Sequence, residues 1–168
     1  MTAKSAVNNR HGSAVVTLPS ATEILITRLF DAPAELVFKA YTTPEFVKRW
    51  WGFETSEWLV CDVDLRVGGT WRYVIRERGH EVGFHGEFRE IARPKRIVCT
   101  EVYEQFPDPD GTSGALDIVT LEEADGVTTM KVLVQHARPE HRDAHIASGM
   151  ESGMQISYNR LEDLIRQK

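Results

Sequence analysis

The sequence has little cysteine and no long apolar run. Only two cysteines, Cys61 and Cys99, occur in 168 residues, and neither belongs to a CxxC pair or to the Cys/His spacing of a zinc site. Both lie in alternating apolar runs, which predicts small buried thiols in a cytoplasmic protein; a disulfide between them is the alternative. No apolar stretch is long enough to span a bilayer, so we expect no membrane partner.

Residues 1–20 lack the apolar block of a signal peptide. They are mostly polar, and we expect a flexible N-terminal extension there, followed by one domain over residues 21–168. The length suits a single domain. Hydrophobic residues make up 42% of the chain and charged residues 27%, which is ordinary for a globular protein with a substantial core.

Positive charge and catalytic motifs are also scarce. The formal net charge is −5 and no run of lysine and arginine stands out, so we expect no nucleic-acid partner. The sequence has no GxSxG, P-loop or dinucleotide fingerprint. His141 and His145 are spaced for a shared metal, but Arg142 stands where the zinc-protease pattern HExxH requires glutamate. We therefore predict no metal, no cofactor and no assigned catalytic residue.

What the sequence does contain is a hydrophobic pattern whose spacing changes along the chain, from that of strands to that of helices and back. A β-rich run over Thr22–Phe30 predicts a first strand. Two short helices follow, over Ala34–Tyr41 and Pro44–Trp50, because Pro33 and Pro44 suit first helical turns and Gly52 ends the second. Alternating runs separated by turn residues then predict six further strands in hairpins. A last helix begins at Pro139, and its apolar residues form one stripe.

These elements predict an α+β helix-grip fold: a curved seven-stranded antiparallel sheet around a long C-terminal helix, with two short helices after strand 1. An antiparallel sheet needs cover on one face only, and the long helix provides it. A sheet of this width twists and curls. One helix laid across it does not fill the space beneath, so a cavity between helix and sheet is expected.

Adjacent tryptophans, Trp50 and Trp51, end the second short helix. Neighbouring helical residues point about 100° apart, so one core face does not easily take both rings. We expect one ring to pack in the core and the other to line the pocket mouth; that both are core is the alternative.

The predicted cavity wall includes aromatic, methionine and polar residues. Aromatic and methionine side chains suit a pliable apolar site, and ordinary core packing is the alternative for each. Glu101 alternates with Ile97, Cys99 and Tyr103, so it points inward if that face is inward, and into water otherwise. His136 shares the face of Met130, Val132 and Val134. The predicted ligand-binding residues are Trp51, Trp71, Tyr73, Glu101, Tyr103, His136, Met150 and Met154.

Two glycines, Gly149 and Gly153, interrupt the final helix. Each costs about 1 kcal/mol relative to alanine in a helix interior. We expect a close approach of the sheet, room for a ligand, or a simple bend.

Four segments carry a resemblance to a known family: FDAPAELVFKAYTTPEFVKRWWG, DLRVGGTWRY, GEFREIARPKRIVCTE and GMQISYNRLEDLI. Over about residues 22–165 the chain resembles the START-like, polyketide-cyclase-like (SRPBCC) superfamily. Within it, the chain is similar to the branch named after the C-terminal domain of the heat-shock chaperone ATPase activator. The resemblance implies the helix-grip fold with a ligand cavity. It is less specific for function, because the superfamily holds carriers, enzymes and co-chaperones.

Three functions follow as hypotheses. The first is binding of a small hydrophobic or aromatic molecule between the sheet and the last helix, by a monomer or homodimer. The second, implied by the branch resemblance, is a co-chaperone-like module that stimulates a chaperone ATPase, with a bacterial-type stress-response role. The third is a cyclase- or hydrolase-type enzyme that uses Glu101 with His136 as acid or base.

Overall fold

The computed structural model describes residues 9–106, 108 and 111–167. Within these residues the chain forms eight strands and four helices. The strands are β1 (Val15–Thr17), β2 (Glu23–Phe30), β3 (Glu57–Val63), β4 (Thr70–Glu77), β5 (His80–Ala92), β6 (Arg96–Tyr103), β7 (Ala115–Ala124) and β8 (Val127–Gln135). The helices are α1 (Ala34–Thr42), α2 (Pro44–Trp50), α3 (Pro139–Ala147) and α4 (Met150–Arg166).

The strands form one antiparallel sheet in the order β1-β2-β8-β7-β6-β5-β4-β3. Strands β3 to β8 follow one another as hairpins, and β2 crosses over to pair with β8. The pairing of β5 with β6 shifts register between Phe88 and Glu90, as a β-bulge does. The helix-grip α+β architecture predicted from the sequence is confirmed.

The number of strands differs from the prediction, because β1 makes the sheet eight-stranded rather than seven-stranded. Val15–Thr17, within the expected flexible extension, pairs with Leu25–Thr27 of β2. The side chain of Gln155 on α4 makes two hydrogen bonds to the backbone of Ala14. Its Oε1 accepts from the Ala14 nitrogen at 3.2 Å, and its Nε2 donates to the Ala14 carbonyl oxygen at 2.7 Å. Ala14 is buried. The domain boundary at residue 20 stays a prediction.

The two short helices fold at the predicted positions. Pro44 occupies the first turn of α2, where its missing N–H costs nothing. The backbone nitrogen of Ala34 at the start of α1 donates to the Glu123 carboxylate at 2.8 Å. This bond fastens α1 to the end of β7, so α1 and α2 cover one end of the sheet.

The predicted long C-terminal helix is broken into α3 and α4. Gly149 lies between them with φ +82°, a left-handed conformation that favours glycine. Of the expected outcomes for Gly149, the bend is observed. Gly153 lies inside α4, where a Cβ atom would approach the ring of Phe53 at 4.0 Å. A helix of 17 residues (α4) therefore spans the sheet, and α3 turns away with no buried residue.

The end of the sheet beneath the C-terminal half of α4 is densely packed. Leu161 and Phe38 are fully buried there. Arg28 on β2 is also fully buried, and its Nη1 and Nη2 each lie 3.3 Å from Oε1 of Glu162 on α4. We call this part, defined by Arg28, Phe30, Phe38, Leu161 and Glu162, the closed end.

Within the described residues, no helix is long and apolar enough to cross a membrane.

Candidate functional site

A cavity of about 680 Å³ lies between the concave face of the sheet and the junction of α3 with α4. Its floor consists of inward-facing residues of β4 to β8, and its roof comes from α3 and the first two turns of α4. The chain bends at Gly149 between the two helices, and no residue of α3 is buried against this part of the sheet. We call it the open end, in contrast to the closed end.

The adjacent tryptophans divide between core and cavity. Trp50 is buried; it stacks on Tyr41 with ring centroids 5.4 Å apart, and its Nε1 donates to the Ala40 carbonyl at 2.8 Å. Trp51, at the C-cap of α2, lines the cavity and contacts the rings of Tyr73 and Phe84, each at 5.4 Å between centroids. One ring therefore stabilises the core and the other faces the empty space.

Trp71 and Tyr73 on β4 continue this aromatic surface, with ring centroids 4.9 Å apart. The Trp71 Nε1 donates to the Thr100 carbonyl at 3.2 Å. Gly86 pairs with Trp71 on the neighbouring strand, and a Cβ atom there would collide with both the indole and the Thr100 backbone. The Trp71 indole can therefore occupy this position only because residue 86 is glycine and has no side chain.

The roof is apolar and polarizable. Met150 and Met154 are partly buried on α4 and face the cavity. Ser157, one turn further on, accepts a hydrogen bond from the Gly52 nitrogen at 3.2 Å. This bond joins α4 to the turn after Trp51 and fixes the aromatic wall relative to the roof.

An acid pair occupies the polar part of the open end. Glu101 on β6 and Asp117 on β7 both line the cavity, on two strands that pair directly with each other. Asp117 is only 8% exposed. Burial, together with the neighbouring Glu101, raises the pKa of Asp117 well above its usual range, because a charged carboxylate is disfavoured in a buried position beside a second acid.

Sequence reasoning missed Asp117, although a signal was present. It alternates with Ala115, Val119 and Leu121 on β7, all of which are buried. Strict alternation places a residue on the same face as its neighbours two positions away. The inward face that was one of two options for Glu101 is the observed one.

Three histidines line the same cavity. His136, just after β8, lies with its Nε2 3.0 Å from Nδ1 of His145 on α3. Burial and the two neighbouring imidazoles lower the pKa of His136 to about 4, and burial lowers that of His145. Both rings are therefore neutral near pH 7. His141 also lines the cavity, with its ring edge-on to Phe106.

Buried polar atoms without a partner concentrate at this end. Within the part of the chain that the structure describes, six buried side-chain nitrogen or oxygen atoms have no hydrogen-bond partner. Four of them belong to residues that line the cavity: Ser113 Oγ, Asp117 Oδ1, His136 Nδ1 and His141 Nδ1. Such atoms are costly unless something satisfies them, and a polar group of a ligand would do so.

The structure places all eight predicted ligand-binding residues on the cavity wall. They are Trp51, Trp71, Tyr73, Glu101, Tyr103, His136, Met150 and Met154. Tyr103 lies at the mouth, 38% exposed, with its ring stacked on Phe84 at 5.1 Å. That these residues bind a ligand stays a prediction.

In the described residues, one trio, His11, Glu162 and Asp163, brings its ligand atoms within 4.8 Å of one another. It lies at the closed end, where Glu162 already faces Arg28, and not at the cavity. The three cavity histidines do not form such a trio among the described residues.

Comparison with known proteins agrees with this architecture. A family model described as "Activator of Hsp90 ATPase homolog 1-like protein" matches residues 31–166, which is most of the chain. The chain belongs to this family. Membership confirms the resemblance to the START-like (SRPBCC) superfamily, within which the family falls. No curated protein matches the sequence.

Solved structures of bacterial proteins resemble this member of the family along nearly their whole length. A crystal structure from Rhodobacter sphaeroides has 26% identity and a TM-score of 0.82, covering 92% of this chain and 99% of that one. A solution structure from Arthrobacter aurescens has 21% identity and a TM-score of 0.78, covering 92% of both chains. A crystal structure from Nitrosomonas europaea has 24% identity and a TM-score of 0.76, covering 90% and 98%.

Proposed function

We propose that the chain binds one small, mostly apolar molecule, with an aromatic group, in the cavity of the open end. The observation that carries this proposal is the cavity itself, about 680 Å³ in volume. Small-molecule sites are concave, mostly apolar spaces of roughly 300–1,000 Å³ with a few convergent polar groups. Trp51, Trp71, Tyr73 and the two methionines would enclose an aromatic body, since methionine adapts to irregular shapes.

The proposal is tested with 2-naphthylmethanol as a neutral aromatic probe, titrated into the full chain by calorimetry. We expect one molecule bound per chain. Met154→Trp would place an indole in the space where the probe lies and should abolish binding. Ile156→Trp is the matched control, because Ile156 is exposed on the same helix and adds the same bulk outside the cavity.

Two results would count against binding in the cavity. One is absence of binding to the wild-type chain by 2-naphthylmethanol and by a wider panel of apolar aromatic molecules. The other is equal affinity of the Met154→Trp and wild-type chains, provided that circular dichroism shows both to be folded.

A second candidate function follows from the family match over residues 31–166. The family is described by its likeness to an activator of a chaperone ATPase, so we carry stimulation of a cognate chaperone ATPase, with a bacterial-type stress-response role, as the alternative. Titrating the chain into that ATPase and following phosphate release tests it. A turnover rate that does not change with added chain removes this candidate.

Location in the cytoplasm belongs to the same proposal. Cys61 and Cys99 are both free thiols, as a reducing compartment would keep them. Burial raises the pKa of Cys61 to about 11, which makes that thiol a poor nucleophile. A monomer or homodimer satisfies the proposal equally, because one chain supplies every residue of the cavity wall described here.

A further inference from the structure

The ionisable groups on the cavity wall are carboxylic acids and imidazoles. Six described residues of this kind, apart from phenols and thiols, line it: Glu77, Glu101, Asp117, His136, His141 and His145. No lysine or arginine is among the lining residues in the described part of the chain. Glu77 accepts hydrogen bonds from Thr55 at 2.7 Å and Ser56 at 2.9 Å, so its charge is already solvated by protein.

The acid pair has no such partners. Glu101 pairs with Ala115 and Cys99 with Asp117 across β6 and β7, so the two acids are diagonal neighbours on one face of the sheet. Asp117 is more than nine-tenths buried, and its Oδ1 meets no donor among the described residues. At the closed end the buried carboxylate of Glu162 faces the guanidinium of Arg28. At the open end the corresponding cation is missing from the cavity wall.

The neighbouring histidines do not supply that cation. His136 and His145 contact each other at 3.0 Å, and burial lowers the pKa of both. A proton on either ring would face the other ring and a poorly solvated space. The groups that interact with the acid pair from the remaining elements are the Cys99 thiol on β6 and the phenols of Tyr41 on α1, Tyr73 on β4 and Tyr158 on α4, which are also neutral.

We propose that the acid pair Glu101–Asp117 binds a protonated amine, and that the ligand is therefore an aromatic or otherwise apolar molecule carrying one basic nitrogen. This inference rests on the proposed function and specifies its ligand class. The ammonium group would donate hydrogen bonds to the acid pair. The electron-rich faces of Trp51, Trp71 and Tyr73 favour a cation over an anion in the same cavity.

Three probes that share a naphthalene ring and differ in charge test the inference at about pH 7.5, where a primary alkylamine is protonated. They are 2-naphthylmethylamine, 2-naphthylmethanol and 2-naphthoate. In calorimetric titrations of the wild-type chain, the amine should bind about tenfold or more tighter than the alcohol, because charge-assisted hydrogen bonds exceed neutral ones. The carboxylate should bind most weakly.

Glu101→Gln and Asp117→Asn should each reduce the advantage of the amine over the alcohol, measured in the same variant, to about threefold or less. Glu122→Gln is the matched control, because Glu122 is an exposed acid on β7 that lies outside the cavity. It should keep the full preference. Using two variants guards against one of them failing to fold.

A proton readout separates ion pairing from a structural effect. The raised pKa of Asp117 means that an ammonium group must displace a proton from the acid pair. Amine affinity should therefore rise with pH, and titrations in buffers of different ionisation enthalpy should show proton release. Asp117→Asn should remove both effects.

The outcomes distinguish this inference from the function on which it rests. If the alcohol binds in the cavity as tightly as the amine, or if the amine keeps its advantage in both variants, the amine inference is wrong and the cavity proposal stands. If none of the three probes binds the wild-type chain, both are overturned.

Discussion

The two ends of the helix grip bury charge in different ways. At the closed end, Arg28 and Glu162 are both almost inaccessible, and their opposite charges lie 3.3 Å apart. At the open end, Asp117 is buried near a second acid, Glu101, with no cation among the described lining residues. One sheet underlies both ends, but the C-terminal half of α4 covers the closed end, whereas α3 and the start of α4 cover the open end.

The comparison shows which part of the space beneath the helices is filled by the protein's own side chains and which part is empty. Leu161, Leu164 and Ile165 fill the space beneath the C-terminal half of α4. Beneath its N-terminal half, Met150 and Met154 face the cavity instead. Both ends contain buried polar atoms without a partner, two at the closed end (Arg28 Nε and Glu162 Oε2) and four at the open end. Only at the open end do they adjoin a large empty volume, as in a binding site.

Removing Arg28 should have the largest effect on stability. Arg28→Met leaves the buried Glu162 without its main counter-charge, which we expect to cost about 3–5 kcal/mol of unfolding free energy. Glu101→Gln, at the open end, should cost about 1 kcal/mol or less, because it removes no paired cation. Urea denaturation followed by far-ultraviolet circular dichroism measures both. Equal losses at the two ends would refute the contrast drawn here.

Truncation of apolar side chains should show the same contrast with smaller values. Leu161 is fully buried, and Leu161→Ala should cost about 2–5 kcal/mol, since it opens a new cavity in dense packing. Met154 already faces empty space, so Met154→Ala should cost about 1 kcal/mol or less. The midpoints of urea unfolding of the two variants and the wild type measure these losses. A Met154→Ala loss as large as that of Leu161→Ala would mean that the open end is as densely packed as the closed end.

Acid should weaken the open end through its histidines. The pKa of His136 is about 4 in the folded chain against an ordinary value of 6.5. Between these values the His136 ring binds more protons in the unfolded chain than in the folded one, so its contribution to stability falls as the pH drops from about 6.5 to 4. His136→Gln should reduce this loss by about 1 kcal/mol, a value discounted for partial exposure.

The exposed His80 provides the matched control for that experiment, because His80→Gln changes the same residue type outside the cavity. Unfolding free energies at several pH values compare the two variants with the wild type. Parallel pH profiles for His136→Gln and the wild type would show that His136 does not resist protonation.

The N-terminal edge strand should give the smallest effect. Gln155→Ala removes two hydrogen bonds to Ala14 and should cost about 0.5–1 kcal/mol. It should also speed amide hydrogen exchange in Val15–Thr17 more than in β2. Unchanged exchange there would indicate that β1 is held by sheet pairing alone, whereas equal acceleration of β1 and β2 would place Gln155 in the global core.

Much of this contrast could be predicted from the sequence, because period and alternation set which residues face inward. The alternation on β8 predicted that His136 faces inward, and the proline and glycine signals located α1 and α2. The same alternation on β2 also predicts that Arg28 is buried, because it shares one face with Ile24, Ile26 and Phe30, and all four residues are buried. The alternation on β7 likewise predicts that Asp117 faces inward.

Other features depend on contacts between residues that are far apart in the sequence, and the alternation of apolar and polar residues does not predict such contacts. The contact between His136 and His145 requires α3 to turn at Gly149, and the sequence does not set the direction of that turn. Strand β1 has only three residues, too few to show a period. Its position depends on Gln155, which is 141 residues away from Ala14.

The most direct test of the cavity as a ligand site is a crystal structure of the full chain with 2-naphthylmethanol. We predict electron density for one naphthalene ring between Trp71 on the sheet and Met154 on α4, with the wall residues otherwise in place. Density only at the molecular surface, or a cavity filled by rearranged protein side chains, would contradict the account.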